Sequence, residues 1–549
     1  MTSYKKFTFC LVFCSLLIIF YMFTLQFSKT EPAVKNHNEL NDISKATQPR
    51  HDISLEGDFK LNSGKQPENI HSGKWSTRPH IIFVLADDLG WADIGFHSNR
   101  THTPFLDELA RTGVKLGNYY AQPNCSPSRA SFLTGKYSDR TGIQHALRPY
   151  HKSCLPLYHT TLPEVLKDNG YTTHLIGKWH LGHCREECLP YNRGFDTFFG
   201  MLGGSNDLYQ HMKGSRYDMW DMEKPVYEFK GQYSAEVYAS KAEYLIANYS
   251  LHNSGKPFFL FLSFQVPHEP QQVPQKYIDK WESYSYVTHS RQQKLFGQIS
   301  CMDEMINKVV RSLQRNALWD NTVFIFSSDN GGPFVNGASN FPFQGQKRTH
   351  FDGGTRVVGF VNSPLLPDEV RGTTHRGLMG MADWFPTFVE GIAGGKMGRL
   401  DLDGINVWDS IRKGQPSPRK EYIISVGEEC LNQSSRNNTK YWDKIGVDPR
   451  TSIRRGPWKL IIQQTHGVPQ NAPAEVLLFN VENDIGETQN LAFEYPDVVR
   501  DLRQRVREYC HRKVPIVTFQ GDSMKKPKKL VAPWGCILDE DFVQNPIKG

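Results

Sequence analysis

Cys125-Ser126-Pro127-Ser128-Arg129, running on to Leu133-Thr134-Gly135, sets a thiol, two hydroxyls and a guanidinium beside a predicted helix start. Pro127 suits the first turn, where its missing N–H costs nothing, and Gly135 can end the helix. A cysteine in that place meets unpaired backbone donors and a nearby cation, a setting that favours an anion. The bland reading of the same residue is a buried thiol or half of a disulfide. Elsewhere Asp87-Asp88 follows the apolar run Ile81–Ala86, and Val323–Ser327 leads through Ser328 to Asp329-Asn330. Three carboxylates and an amide oxygen would make a hard, all-oxygen cage for Ca²⁺ or Mg²⁺ rather than for a soft metal. Taken singly, each pair is a strand-end cap or a tight turn. Lys178 and His180 follow Thr173–Ile176, and His268 follows Phe258–Ser263, so cationic groups also stand at strand ends. Lys347-Arg348, in a polar loop, reads by itself as a solvated pair.

From about His80 onward, apolar runs of strand length alternate with helix-like segments. That pattern predicts an α/β fold, a large central, mostly parallel sheet flanked by helices. Ligands of such sheets bind outside the carboxyl ends of the strands. Four ends carrying Asp-Asp, Asp-Asn, Lys/His and His are therefore expected to converge on one pocket. Helices are expected at Thr103–Thr112, at Thr161–Asn169 and around Gln292–Leu313. Beyond about residue 420, Arg454–Ile462 and Val476–Val481 read as short antiparallel strands. A helix with Val498, Leu502, Val506 and Tyr509 on one face should follow, giving a smaller C-terminal α+β domain. The expected organisation is an apolar leader at 1–27, a polar stem at 28–77, a catalytic domain at 78–420 and the smaller domain with a basic tail at 421–549.

At 549 residues the chain can bury a large core, and 39% hydrophobic with 12% aromatic residues excludes general disorder. The formal charge of +7 is modest and spread out, and no nucleic-acid module is present. Residues 7–27 carry no charge and follow Lys5-Lys6, long enough to span a bilayer. They read as an uncleaved signal anchor or as a cleaved signal, and either sends the rest of the chain into the secretory pathway. Of ten cysteines, Cys10 and Cys14 lie in that segment and Cys125 in the reactive run, so an odd number remains for pairing. Sequons at Asn99, Asn248, Asn432 and Asn437 fit lumenal exposure.

Together these segments resemble the sulfatase family. Ala86–Gly90, Cys125–Gly135, Gly177-Lys178-Trp179-His180-Leu181-Gly182 and Ser328–Gly332 follow the family's order, and the likeness runs from about Pro79 to near residue 520. Within the family the chain is similar to the arylsulfatase B, I and J group through Arg185–Pro190, Arg193–Asp196, Val266–Pro270 and Pro364–Leu366. The resemblance implies an alkaline-phosphatase-like fold and a Cys125 oxidised to Cα-formylglycine by a formylglycine-generating enzyme. It implies one Ca²⁺, ahead of Mg²⁺, held by Asp87, Asp88, Asp329, Asn330 and residue 125. Arg129 would hold the hydrated aldehyde, Lys178, His268 and Lys347 would grip the sulfate, and His180 would orient the nucleophilic hydroxyl. One hydroxyl attacks sulfur and expels the alcohol, and collapse to the aldehyde frees sulfate. A Cys154–Cys188 disulfide is implied as well. So are substrates that are sulfated glycans of glycosaminoglycan type, as for an N-acetylgalactosamine-4-sulfatase, or small aryl sulfates. The compartment would be lysosomal, secreted, or Golgi/ER-anchored through 7–27.

Two rival readings remain open at this stage. One is a phosphate or phosphonate ester hydrolase of the same superfamily, which commonly places serine or threonine at the nucleophile. The other is a non-catalytic binder of sulfated glycans. The phosphate loop of cysteine-dependent phosphatases is set aside, because it needs five residues between Cys and Arg where three stand here. The chain also departs from its relatives at Gln344, at Asp352-Gly353-Gly354 and around Ser425–Glu429. Those departures bear on substrate choice rather than on the core chemistry.

Overall fold

The computed structural model describes residues 78–149, 151–252, 255–282, 287, 289–427, 430, 450–463 and 474–514. The leader and stem expected at 1–27 and 28–77, the sequons at Asn432 and Asn437 and the basic tail lie outside the described residues.

In chain order the strands are β1 (His80–Asp87), β2 (Val114–Tyr120), β3 (Thr172–Lys178), β4 (Thr197–Met201), β5 (Met212–Lys213), β6 (Arg216–Tyr217), β7 (Trp220–Asp221) and β8 (Lys224–Pro225). They continue as β9 (Phe258–Pro267), β10 (Thr322–Ser328), β11 (Gly359–Asn362), β12 (Thr374–Gly380), β13 (Glu421–Val426), β14 (Thr451–Arg455), β15 (Trp458–Gln463) and β16 (Glu475–Asn480). One ten-stranded sheet runs β12-β2-β11-β10-β1-β9-β3-β4-β7-β8. Its centre is parallel, from β10 through β1, β9 and β3 to β4. β11 inserts antiparallel between β10 and β2, and β7 and β8 are antiparallel at the far edge.

β1 explains why its sequence is an unbroken apolar run: all its residues are buried. Ile82, Val84 and Ala86 enter one core with Ala239, Ile246, Ile299 and Val309 from helices Ser234–His252 and Ser290–Arg315. The alternate residues Ile81, Phe83 and Leu85 enter the other core with Phe132, Trp384 and Phe388. Phe83 stacks on Phe132 at 4.2 Å between ring centroids, which ties helix Cys125–Thr134 to the central strand. Burying one such ring is worth ~1.5–3 kcal/mol.

β13 to β16 form a separate antiparallel sheet. Helix Pro496–Cys510 covers it, with Leu502 and Val506 in a core that also holds Tyr120 and Tyr137. The run Arg454–Ile462 spans two of these strands, because Gly456, at φ 55, turns the chain between Arg455 and Trp458. The helix end is tied by Cys430–Cys510, and Cys154–Cys188 forms as the resemblance implied. Cys125 and Cys301 are free, buried thiols among the described residues.

Candidate active site

Four strand ends and one helix start supply the site. Asp87 ends β1, and Asp88 follows at φ 70, in the left-handed region that short polar side chains tolerate best. Asp329 and Asn330 follow β10, Lys178 ends β3, and His268 follows β9. Gly177 is needed one residue before Lys178: it sits at φ 110, and a Cβ there would lie 1.9 Å from the Ser263 carbonyl oxygen. Cys125 is the first residue of helix Cys125–Thr134, which is buried throughout and ends at Gly135, φ 64.

These groups meet. Cys125 Sγ lies 3.4 Å from Asp87 Oδ1 and 4.0 Å from Asp88 Oδ1. Arg129, wholly buried, donates to Asp329 Oδ2 at 3.0 Å, to Ser263 Oγ at 2.7 Å and to the Lys178 carbonyl at 3.0 Å. Lys178 Nζ pairs with Asp87 Oδ2. Lys347, one of a solvated pair by its loop alone but a sulfate-gripping residue by the family resemblance, folds inward and places Nζ 2.6 Å from Asp88 Oδ1. Three buried or nearly buried cations thus face three carboxylates. Ligand atoms of Asp87, Asp88, Cys125 and His268 all lie within 4.8 Å of one another.

The electrostatics follow from that crowding. Burial by itself would raise the Asp88 carboxyl, but the Lys347 ammonium holds it well below the usual carboxylate range. Burial and the Asp87 charge push the Asp329 carboxyl up to about 6, against Arg129 and Lys178. Burial also works against the Lys347 ammonium, and Asp88 overrides it, raising the group above an ordinary lysine. Burial lowers the His268 imidazole to about 4, so the ring is neutral near pH 7 although Asp88 opposes the shift. His268 Nδ1 is 2.7 Å from the Glu269 carbonyl, which can only accept, so Nε2 carries the lone pair. Nε2 is 3.7 Å from Asp88 Oδ2. Two electron-pair donors therefore face one another, an arrangement suited to a cation between them.

The thiol corrects one expectation. The helix start and Arg129 were expected to favour an anion, yet burial and the neighbouring Asp329 push the Cys125 thiol far up. Desolvation beside carboxylates outweighs the helix-terminal donors. Cys125 is held as a neutral thiol, not as a reactive thiolate.

The sulfatase family model matches residues 79–392, a span that contains every one of these groups. The chain belongs to the sulfatase family. It is 36% identical to mouse arylsulfatase J over 88% of this chain and 84% of that one. It is 28% identical to human N-acetylgalactosamine-6-sulfatase over 80% of this chain and 86% of the relative. Among solved structures, Ps i-CgsB in complex with k-i-k-neocarrahexaose superposes with a TM-score of 0.69 at 26% identity, covering 80% of this chain and 94% of that chain. The protein is a sulfuric ester hydrolase by family.

In this sulfatase Asp87, Asp88, Cys125, Arg129, Lys178, His268, Asp329, Asn330 and Lys347 lie together at the strand ends. His180 turns its Nε2 to the Leu147 carbonyl at 2.8 Å, and burial with Lys178 and Arg129 pushes its imidazole far below the ordinary range. Asn330 Nδ2 donates to Asp88 Oδ1 at 2.7 Å, while its buried Oδ1 has no hydrogen-bond partner. Sequence reading missed Ser263, which was visible only as the last residue of a strand. It also missed Asn340, whose amide clasps both the N–H and the carbonyl of Gly332 at 2.9 and 2.8 Å and so holds the loop beyond Asn330. Of the described sequons, Asn99 is exposed and Asn248 partly so.

Proposed function

We propose that this sulfatase hydrolyses sulfate esters on glycosaminoglycan-type sugars, or small aryl sulfates, with formylglycine at position 125 as nucleophile. The observation that carries this reading is the buried cluster of Cys125, three carboxylates and three cations at the sheet's carboxyl edge. The names of the relatives, an arylsulfatase and an N-acetylgalactosamine sulfatase, support the two substrate classes. A neutral, buried thiol is a poor nucleophile as it stands, which supports its conversion by a formylglycine-generating enzyme before use.

Asp87, Asp88, Asp329, Asn330 and residue 125 would hold one Ca²⁺. The orphaned Asn330 oxygen and the hard donor set fit that ion, and His268 lies close enough to join the site. When bound, the ion adds positive charge against a sulfate oxygen. The chain's own residues do the rest. Arg129 fixes residue 125 through Asp329 and Asp87, from which its Nη2 lies 3.0 and 4.0 Å. Lys178 and Lys347 present compact charges to sulfate oxygens. With carboxylates and side-chain cations otherwise balanced, the cation's charge is left over to attract an anionic ester. Neutral His180 can accept and return a proton as the hydroxyl attacks and the alcohol leaves, while His268 stays at the sulfate-binding rim of the cluster.

The compartment we infer is the lumen of the secretory pathway, supported by disulfides Cys154–Cys188 and Cys430–Cys510. No helix among the described residues is long and apolar enough to cross a membrane.

The test is mass spectrometry of the peptide containing residue 125 from a secretory host, with turnover of sulfated N-acetylgalactosamine, an aryl sulfate and a phosphate ester. Formylglycine with sulfate-ester turnover is expected. An intact thiol from a host that modifies a control sulfatase, or preference for the phosphate ester, overturns the reading.

A further inference from the structure

Ser126, next to the nucleophile position, has no part in the assignments above. Its wholly buried hydroxyl accepts the Leu147 N–H at 3.0 Å and donates to the His180 carbonyl at 2.9 Å. Leu147 in turn presents its carbonyl 2.8 Å from His180 Nε2. The contacts close a ring: one hydroxyl holds both the backbone that meets the imidazole and the backbone that carries it. A carbonyl oxygen only accepts, so Nε2 bears the proton and Nδ1 the free electron pair. Nδ1 is buried and has no hydrogen-bond partner.

His180 also needs holding. Its backbone lies at φ 59. A side-chain-bearing residue persists there only where its surroundings fix it. The Ser126 bond and the His180 N–H to the Leu202 carbonyl at 3.2 Å supply that restraint. On the ring's other side stands Gly204, where a Cβ would lie 2.5 Å from Nε2 and displace it.

We propose that Ser126 is a positioning residue for sulfate-ester hydrolysis. It fixes the tautomer and the aim of His180, leaving Nδ1 as the one ring atom able to accept a proton during the reaction. This rests on the assignment of His180 to the reaction made above.

The experiment compares wild type, Ser126→Ala, Ser126→Thr and His180→Asn, with rates expressed per molecule carrying formylglycine by mass spectrometry. Ser126→Ala should lower kcat by about 10- to 100-fold, within the range of acid–base contributions, with KM changed less than about twofold. Ser126→Thr, which keeps the hydroxyl, should restore most of the loss. ¹⁵N NMR of histidine-labelled wild type should show the Nε2–H tautomer for the signal that His180→Asn removes, and a mixture in Ser126→Ala. An Nδ1–H tautomer in wild type, or unchanged kcat in Ser126→Ala, overturns the proposal. The wild-type tautomer needs no variant of Ser126, so an Nδ1–H signal overturns the proposal even if Ser126→Ala does not fold, and Ser126→Thr then carries the kinetic comparison. Full turnover by His180→Asn would instead overturn the assignment of His180 itself.

Discussion

Lys459 of the small sheet and Asp352 of the catalytic part, 107 residues apart, meet at 2.6 Å with neither side chain exposed. Glu487 joins from the other side at 2.8 Å from the same ammonium. Glu487 also accepts the Asp352 backbone N–H, and Tyr120 donates to Asp352 at 2.9 Å. Asp352 opens the short helix Asp352–Thr355, whose Gly354 carbonyl accepts the Gly331 N–H beside Asn330 at 3.1 Å. The small sheet therefore braces the loop that borders the candidate metal site.

Lys459→Met should destabilise the protein by ~3–5 kcal/mol, because two buried carboxylates lose their common partner. Chemical unfolding followed by far-UV circular dichroism checks this. Arg500→Met, at an exposed pair with Asp497, should leave the midpoint unchanged. Equal midpoints for the two variants would remove the bracing argument.

Lys347→Met should reduce kcat/KM for a sulfate ester by ~10²–10³-fold, the scale for removing one preorganised charge from a developing anion. Lys347→Arg should not restore it, since a planar fork differs from a compact ammonium 2.6 Å from Asp88 Oδ1. Steady-state kinetics on protein of matched formylglycine content gives the answer. Retention of half the wild-type kcat/KM in the methionine variant would take Lys347 out of the site.

Much of this site was legible before the fold was known. Ile81–Ala86 and Val323–Ser327 are buried on both faces, so their sequences lack alternation, and the acids that follow mark where each strand leaves the core. Lys347 was legible through the family resemblance alone, because nothing in Gly345-Gln346-Lys347-Arg348 shows which way the loop folds. Gly345 at φ 85 and Arg348 at φ 71 make that turn, and only tertiary contact gives the lysine its partner. One sheet edge was missed for a related reason: Trp220–Asp221 and Lys224–Pro225 are too short to carry a period. The thiol was misjudged because helix-start chemistry is local, whereas the carboxylates that oppose an anion arrive from strands far away in sequence.

Removing divalent ions should abolish turnover and lower Tm, and added Ca²⁺ should restore both, with Mg²⁺ less effective. At free Ca²⁺ 100-fold above Kd the stabilisation should approach ~2.7 kcal/mol. Asn330→Ala removes the orphaned amide oxygen and should weaken the Ca²⁺ dependence of Tm. Protein shown metal-free by elemental analysis that keeps its activity and Tm would exclude the ion.

Asp303 gives a pH signature away from the site. Its Oδ1 accepts the Leu106 N–H at 2.7 Å and its Oδ2 the Phe105 N–H at 3.3 Å, capping helix Pro104–Thr112 from helix Ser290–Arg315. Burial pushes its carboxyl up to about 7, against those two bonds. A folded pKa above the unfolded one means the native state binds the extra proton. The stability is therefore fully present below the unfolded value and is lost as pH rises through about 7. The slope from this group has a ceiling of ~1.4 kcal/mol per pH unit. Asp303→Asn lacks the titration. Wild type should therefore lose stability relative to the variant between pH 5 and pH 8, read as the change in their Tm difference. Parallel Tm profiles for the two proteins across that interval would mean that the carboxyl keeps an ordinary pKa, its two helix-capping bonds having offset its burial.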